Sequence, residues 1–172
     1  MKINIWIIIN DHFLTLRNAN RKAVSYTDVV IFIFIPGIFS LLAYGERLSF
    51  SDDIFSLAVT FFGVFIALLL NMQVAIFGIY QARRTQLGSI ELTETKEERD
   101  KLRKTLMIEL NASLSYLTLV STVALVVSFC AVVMKIHQGF LIAVSVFFYA
   151  HFVLTLLMIL KRSYILFKKE LT

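Results

Sequence analysis

The sequence has little of what a water-soluble or disulfide-stabilised protein needs. Only 17% of its residues are charged, whereas soluble domains carry about 25%. One proline and six glycines exclude collagen-like repeats, low-complexity segments and long flexible linkers. The single cysteine, Cys130, excludes a disulfide framework, a CxxC redox pair and a zinc site built from cysteines.

Motifs for catalysis and cofactor binding are missing as well. The sequence contains no HExxH, no GxSxG and no glycine-rich phosphate loop. Its three histidines, His12, His137 and His151, are far apart and would need long-range convergence to hold a metal ion. We therefore expect no enzyme, no cofactor and no metal site.

Apolar residues dominate what is present. They make up 58% of the chain, the mean hydropathy is +0.78, and four runs approach or exceed the roughly 20 apolar residues that cross a bilayer. The only charged residue in these runs is Asp28, at the start of the first. We predict an all-α integral membrane protein with four transmembrane helices, at about 28–44, 54–80, 112–134 and 139–160, as one domain over 28–160.

The basic residues predict the orientation of the chain. Of the 17 Lys and Arg residues, all but Arg47 and Lys135 fall in segments 1–27, 81–111 and 161–172. The positive-inside rule then places both termini and the 81–111 insertion in the cytoplasm. We expect a multi-pass protein of the bacterial inner membrane. Because most of the net charge of +5 lies beside membrane ends, it indicates contact with anionic headgroups and no direct nucleic-acid binding.

The N-terminal segment 1–27 starts with an apolar run, Ile3 to Ile9, which Asn10-Asp11-His12 ends and which is too short to span a bilayer. Trp6, Phe13 and Leu14 alternate with polar residues such as Asn4 and His12. Such a mixture favours a helix lying in the membrane interface. The alternative is that the first residues pack against a neighbouring subunit.

The third span is predicted to continue into the cytoplasm as a stalk. From Lys96 to Met134 neither glycine nor proline interrupts the helical pattern, and a helix of this length measures about 58 Å. Leu102, Leu106 and Leu110 form an apolar stripe on the stalk. Two interpretations stay open: the stripe packs against the second span or a second copy, or it binds a cytoplasmic protein. The segment 161–172 is predicted to be a basic cytoplasmic tail.

Polar residues inside the spans are the candidate functional groups. Ser115, Thr118 and Thr122 share one face of the third span, which indicates either a helix–helix seam or a pore lining. Asn71 lies on the second span, two residues from Gln73, so the two amides point to different sides.

His151 lies near the middle of the fourth span. It is either a proton-relay or ligand residue, or a hydrogen-bonding partner of a neighbouring helix. In the first span, Pro36-Gly37 predicts a kink or hinge.

The order of these features resembles a group of small bacterial four-span proteins associated with phage defence. The matching features are Asn10-Asp11-His12-Phe13, Asp28 opening a span that reaches Pro36, Leu48-Ser49, and the end of the second span at 67–71. Within this group the chain is most similar to KwaA, the membrane subunit of the two-component Kiwa system. The likeness covers roughly the first 75 residues by pattern and the rest by topology.

This resemblance implies a homotetrameric membrane sensor of infection that holds a KwaB-like cytoplasmic effector. It transfers no catalytic residue. The sequence therefore predicts a non-enzymatic, oligomeric scaffold or sensor whose partners are the lipid bilayer, further copies of itself and a cytoplasmic protein. The alternatives are a pore-forming protein, either a defence effector or holin-like, and a small transporter that uses His151.

Overall fold

A computed structural model describes residues 5–15, 26–45, 52–87, 94–134 and 139–171, all of them helical. The helices are α1 (Ile5–Thr15), α2 (Tyr26–Gly45), α3 (Asp52–Leu87), α4 (Glu94–Met134) and α5 (Gly139–Leu171). The all-α prediction is confirmed for this part of the chain.

The four longer helices form a bundle in which α3 packs on α4, α4 on α5, and α5 on α2, while α1 lies against α4. Side-chain contacts fix the antiparallel directions. Gln73 of α3 bonds Ser115 of α4, and Gly63 lies opposite Leu125. α5 begins at Gly139 and runs antiparallel to α4, with Tyr116 bonded to His151 and Ala131 packed with Ile142.

The pair α2 and α5 is also antiparallel. Ser40 of α2 donates to the carbonyl of Ala143, and Gly139 at the start of α5 lies beside the ring of Tyr44 near the end of α2. It follows that one end of the bundle contains four helix ends: the start of α2, the end of α3, the start of α4 and the end of α5. This end, called the basic end below, carries residues 83–87, 94–104 and 161–169, where eleven of the Lys and Arg residues lie.

Three helices contain stretches long and apolar enough to cross a membrane by length and composition: Phe55–Ala82 in α3, Lys104–Val133 in α4 and Gly139–Lys161 in α5. The chain is thus a multi-pass membrane-associated protein. Among the described side chains of α2, the apolar stretch Val30–Gly45 is shorter. A fourth span and the orientation of the termini stay predictions.

The helices run further than the predicted spans. α3 continues to Leu87, α4 starts at Glu94, and α5 reaches Leu171. The insertion 81–111 and the tail 161–172 are therefore largely continuations of the membrane helices, apart from residues 88–93 and 172, which lie outside the described residues. The kink predicted at Pro36 does not end α2, which is helical on both sides of it.

The core is a set of large side chains between α3, α4 and α5. Phe62, Leu114, Leu117 and Phe152 are almost completely buried. Leu69 and Ile159 extend this cluster toward the basic end. A second, smaller cluster of Phe55, Ala131 and Ile142 closes the opposite end. The outer faces of all the helices expose large apolar side chains, as expected for helices whose surroundings are lipid.

Candidate functional site

The proline of α2 creates the first element of the site. Proline has no backbone N–H, so the carbonyl four residues earlier in the helix loses its usual donor. For Pro36 that carbonyl belongs to Phe32. In a membrane such a carbonyl is costly unless a neighbouring helix supplies a donor.

His151 of α5 supplies that donor. Its Nδ1 lies 3.0 Å from the carbonyl oxygen of Phe32. Because a carbonyl can only accept, Nδ1 must carry the proton. In the neutral ring, Nε2 is then an acceptor.

Tyr116 of α4 completes the hydrogen bonding of this imidazole. Its hydroxyl lies 2.8 Å from Nε2 of His151 and donates to it. His151 is 7% exposed and Tyr116 is 9% exposed, so the bond between them is buried, while the bond to the Phe32 carbonyl is partly buried. One imidazole thus links the backbone of α2 to a side chain of α4, and both of its nitrogens are used.

Aromatic rings hold the network from two sides. His12 of α1 stacks face to face on Tyr116, with the ring centroids 3.9 Å apart and an interplanar angle of 4°. Phe147 lies parallel to His151, with the centroids 5.9 Å apart. The stack buries His12 to 1% exposure. We call His12, Tyr116, His151 and the Phe32 carbonyl the four-helix network, because each member comes from a different helix.

The sequence pattern singles out His151 as a polar residue in an apolar run, but it does not single out the rest of this network. In the structure His151 forms hydrogen bonds to α2 and α4, and its role stays a prediction. Tyr116 and His12 were not singled out as its partners. The sequence feature that could have predicted a hydrogen-bond donor here is Pro36. A proline leaves the carbonyl four residues earlier, that of Phe32, without its helical donor.

The candidate seam or pore residues are used in two different ways. Ser115 accepts a 2.8 Å hydrogen bond from Gln73 of α3, which makes it part of a helix–helix contact. Thr118 donates to the carbonyl of Leu114, and Thr122 donates to the carbonyl of Thr118. Both threonine hydroxyls therefore bond their own helix.

The second amide of α3 lies apart from these contacts. Asn71 is exposed on the surface of the chain, while Gln73 points inward to α4. The expectation that these two amides face different sides agrees with this geometry. An exposed amide inside an apolar stretch is a position where a further helix could bond.

The leucines of the candidate partner stripe on α4 differ in how far they are buried. Leu110 is 6% exposed and belongs to the core formed with α3 and α5, so it is not available to a partner. Leu106 is half-buried. The side chain of Leu102 lies outside the described residues. Leu110, the inner residue of the stripe, therefore packs within its own chain; whether the outer part binds a partner stays a prediction.

Among the described residues, no group of three or more His, Cys, Asp or Glu side chains could hold a metal ion. Cys130 is exposed on the outer face of α4. The polar contacts between helices described above are neutral hydrogen bonds and ring contacts, which position the helices relative to one another. Comparison with known proteins finds no matching family model, curated protein or solved structure.

Proposed function

We propose that the chain is a non-enzymatic, oligomeric membrane scaffold or sensor that recruits a cytoplasmic protein through its basic end. The observation that carries this proposal is the shared extension of three helices past their apolar stretches. At the same end, α3 continues from Ala82 to Leu87, α4 begins at Glu94 before Lys104, and α5 continues from Lys161 to Leu171. For α4 and α5 the extension is about 15 Å each.

The proposed topology has four spans with both termini in the cytoplasm. α2 has 20 residues, which corresponds to about 30 Å and matches the hydrocarbon thickness of a bilayer. With α2 as a span antiparallel to α5, the start of α2 and the end of α5 lie at the basic end. The positive-inside rule then orients that end toward the cytoplasm of a bacterial inner membrane.

The occupied hydroxyls favour a scaffold over a pore. Water pathways are lined by groups free to bond water or ions. Thr118 and Thr122 instead bond their own backbone, and Ser115 bonds Gln73. A transporter that uses His151 would need that ring to exchange partners, yet both of its nitrogens bond other helices.

The resemblance to KwaA suggests a more specific version of this proposal. In that form the chain is a homotetramer that detects phage infection and holds a KwaB-like effector at the cytoplasmic face. The exposed amide of Asn71 and the apolar outer faces supply surfaces on which copies could associate. The helical extensions supply the surface for the effector.

The test is a native pull-down of the full chain from its host in a mild detergent. Mass spectrometry identifies bound proteins, and mass photometry gives the stoichiometry. We expect a defined oligomer with a stoichiometric soluble partner. In the double variant Leu102→Asp/Leu106→Asp, the amount of soluble partner recovered with the chain should fall at least about tenfold. The oligomer itself should persist.

A matched control places the same charge at the opposite end of the bundle. Phe140, near the start of α5, is 64% exposed, and Phe140→Asp should retain the partner. A homo-oligomer without any soluble partner, together with unitary conductance in planar bilayers, would contradict the scaffold and favour the pore. Retention of the partner by the double variant would remove the α4 extension as its binding surface.

A further inference from the structure

Asn71 carries an amide that no residue in the described part of the chain hydrogen-bonds. It is exposed on α3, whereas Gln73, two residues further along, bonds Ser115 of α4. α3 packs chiefly on α4, and α1 lies against α4 as well, so the opposite face of α3 is left to lipid. Acyl chains neither donate nor accept hydrogen bonds, and a polar group without a partner in hydrocarbon costs free energy.

This amide lies within the apolar part of the bundle. The apolar stretch of α3 is Phe55–Ala82, and Asn71 lies about 4 Å from its midpoint by helical rise. The ring contact between Phe65 and Phe152 puts Asn71 level with Met158 of the parallel helix α5, which is still inside the apolar stretch of α5. At this depth only another polar side chain can bond the amide.

The residues around Asn71 on the same face of α3 are small. At about 100° per residue, Ala67, Ala75 and Gly78 lie within about 40° of Asn71 around the helix, and all of them are exposed. A Cβ added to Gly78 would meet no neighbouring part of the described chain within 4 Å. The core residue Phe62 lies on the opposite side of α3. Small side chains let a second helix approach closely enough for a short amide to bond across the contact.

A second copy of the chain offers the matching chemistry at the matching depth. All copies of a multi-pass protein insert in one direction, so a symmetric pair has its two-fold axis along the membrane normal, and equivalent residues meet at one level. An amide has both donors and an acceptor, so Asn71 can bond its own equivalent. A different membrane protein has no such symmetry to bring a polar group to this depth.

We propose that two copies of the chain pair through the Asn71 face of α3, which consists of Ala67, Asn71, Ala75 and Gly78, with the two Asn71 amides hydrogen-bonded to each other. The inference rests on the oligomeric part of the proposed function and names the surface through which copies associate. Because α4 packs on the other side of α3, this pairing leaves the α4 extension accessible to a soluble protein.

The first test changes the amide. Full chains labelled with a donor or an acceptor dye are mixed in palmitoyl-oleoyl phosphatidylglycerol vesicles, and energy transfer is followed as lipid is added. Asn71→Leu should weaken association about tenfold, which corresponds to about 1.4 kcal/mol. Asn71→Gln keeps the donors and the acceptor and should retain more of the association. Met72→Leu is the control, because Met72 is 45% exposed but lies about 100° away around α3, and it should leave association unchanged.

The second test blocks the close approach of the two helices. Gly78→Leu adds a large side chain where its own chain leaves room, so it should weaken association about tenfold without disturbing the single chain. Gly37→Leu is the matched control, since a Cβ at Gly37 of α2 also meets nothing within 4 Å. This control should associate like the wild type.

The third test maps the face directly. In a Cys130→Ala background, Ala75→Cys should form a disulfide between copies when the vesicles are oxidised. Phe77→Cys should not, because Phe77 is 59% exposed but lies about 120° from Asn71 around α3.

An oligomer that forms equally well in the wild type, Asn71→Leu and Gly78→Leu would overturn the Asn71 face and leave the oligomeric scaffold standing. Equal cross-linking at positions 75 and 77 would also overturn it. A wild-type chain that stays monomeric in the vesicles would overturn both the face and the oligomer. Thermal unfolding of each variant in detergent separates weaker association from misfolding. Loss of the cytoplasmic partner is read separately, in the pull-down.

Discussion

The two sides of the bundle are held together by different physics. Between α3 and α5 the contacts are ring against ring: Phe152 lies within 5.7 Å of Phe61, Phe62 and Phe65 between centroids. Between α2 and α5 the contacts include two hydrogen bonds to backbone carbonyls, from His151 and Ser40. The acyl chains of lipids can replace aliphatic contacts between helices. They cannot replace aromatic ring contacts or hydrogen-bond donors.

The difference follows from the helices themselves. α3 has 36 residues and buries rings such as Phe62 against α4 and α5, so shape complementarity over many residues specifies its position. α2 is shorter and contains Pro36, which frees a carbonyl that must be bonded. A directed hydrogen bond therefore both compensates the proline and sets the level at which α2 meets α5.

The largest expected effect is on the aromatic side. Phe152 is 1% exposed and touches three rings of α3, so Phe152→Ala should lower the free energy of unfolding by about 3 kcal/mol through the cavity that it leaves. Unfolding is measured by steric trapping in bicelles. Phe129→Ala is the control, since Phe129 is 53% exposed and should cost under about 0.5 kcal/mol. An equal loss of unfolding free energy in the two variants would show that the aromatic cluster is not the main contact between α3 and α5.

The second effect tests whether His151 compensates Pro36. His151→Leu removes both hydrogen bonds of the ring and should cost about 2 kcal/mol. In a Pro36→Ala background the new backbone N–H of residue 36 can bond the Phe32 carbonyl, so the same change should cost about 1 kcal/mol less. The double-mutant cycle is measured by the same unfolding assay.

A coupling energy near zero in that cycle would contradict the assignment. Pro36→Ala alone also alters packing, because Pro36 is buried. The cycle removes that contribution because it appears on both sides of the comparison.

The smallest effect separates the two amides of α3. Gln73→Leu removes the 2.8 Å bond to Ser115 and should cost about 0.6 kcal/mol, the average for a polar contact between membrane helices. Asn71→Leu should leave the unfolding of a single chain unchanged, because Asn71 is exposed. Mass photometry reports whether Asn71→Leu weakens association between copies instead. An equal loss of single-chain stability in both variants would show that Asn71 has a partner within its own chain.

Much of the fold was readable because hydrophobic length is a property of consecutive residues. The predicted spans 54–80, 112–134 and 139–160 lie within α3, α4 and α5, and the helical pattern from Lys96 begins two residues after α4 does. The stalk stripe shows the limit of this reasoning. Periodicity placed Leu110 on an apolar face, but only packing showed that this face meets α3 and α5.

Less of the candidate site could be predicted from the sequence, because its residues come from helices far apart in the chain. His151 stood out as a polar residue in an apolar run, whereas Tyr116 and His12 look like ordinary aromatic and interfacial residues until α1 and α4 bring them together. Sequence alone also treated the hydroxyls of Ser115 and Thr118 alike. Only Ser115 lies within reach of an amide on α3.

The sequence by itself determined that the chain is helical and membrane-associated, because the energy of placing apolar runs in lipid depends on composition and length. It also determined that one carbonyl of α2 would need a donor, because proline always removes that bond. Only the tertiary structure decided which side chain donates, which leucines are buried and which amide of α3 faces α4. These choices depend on distances between helices far apart in the chain, and no local pattern encodes them.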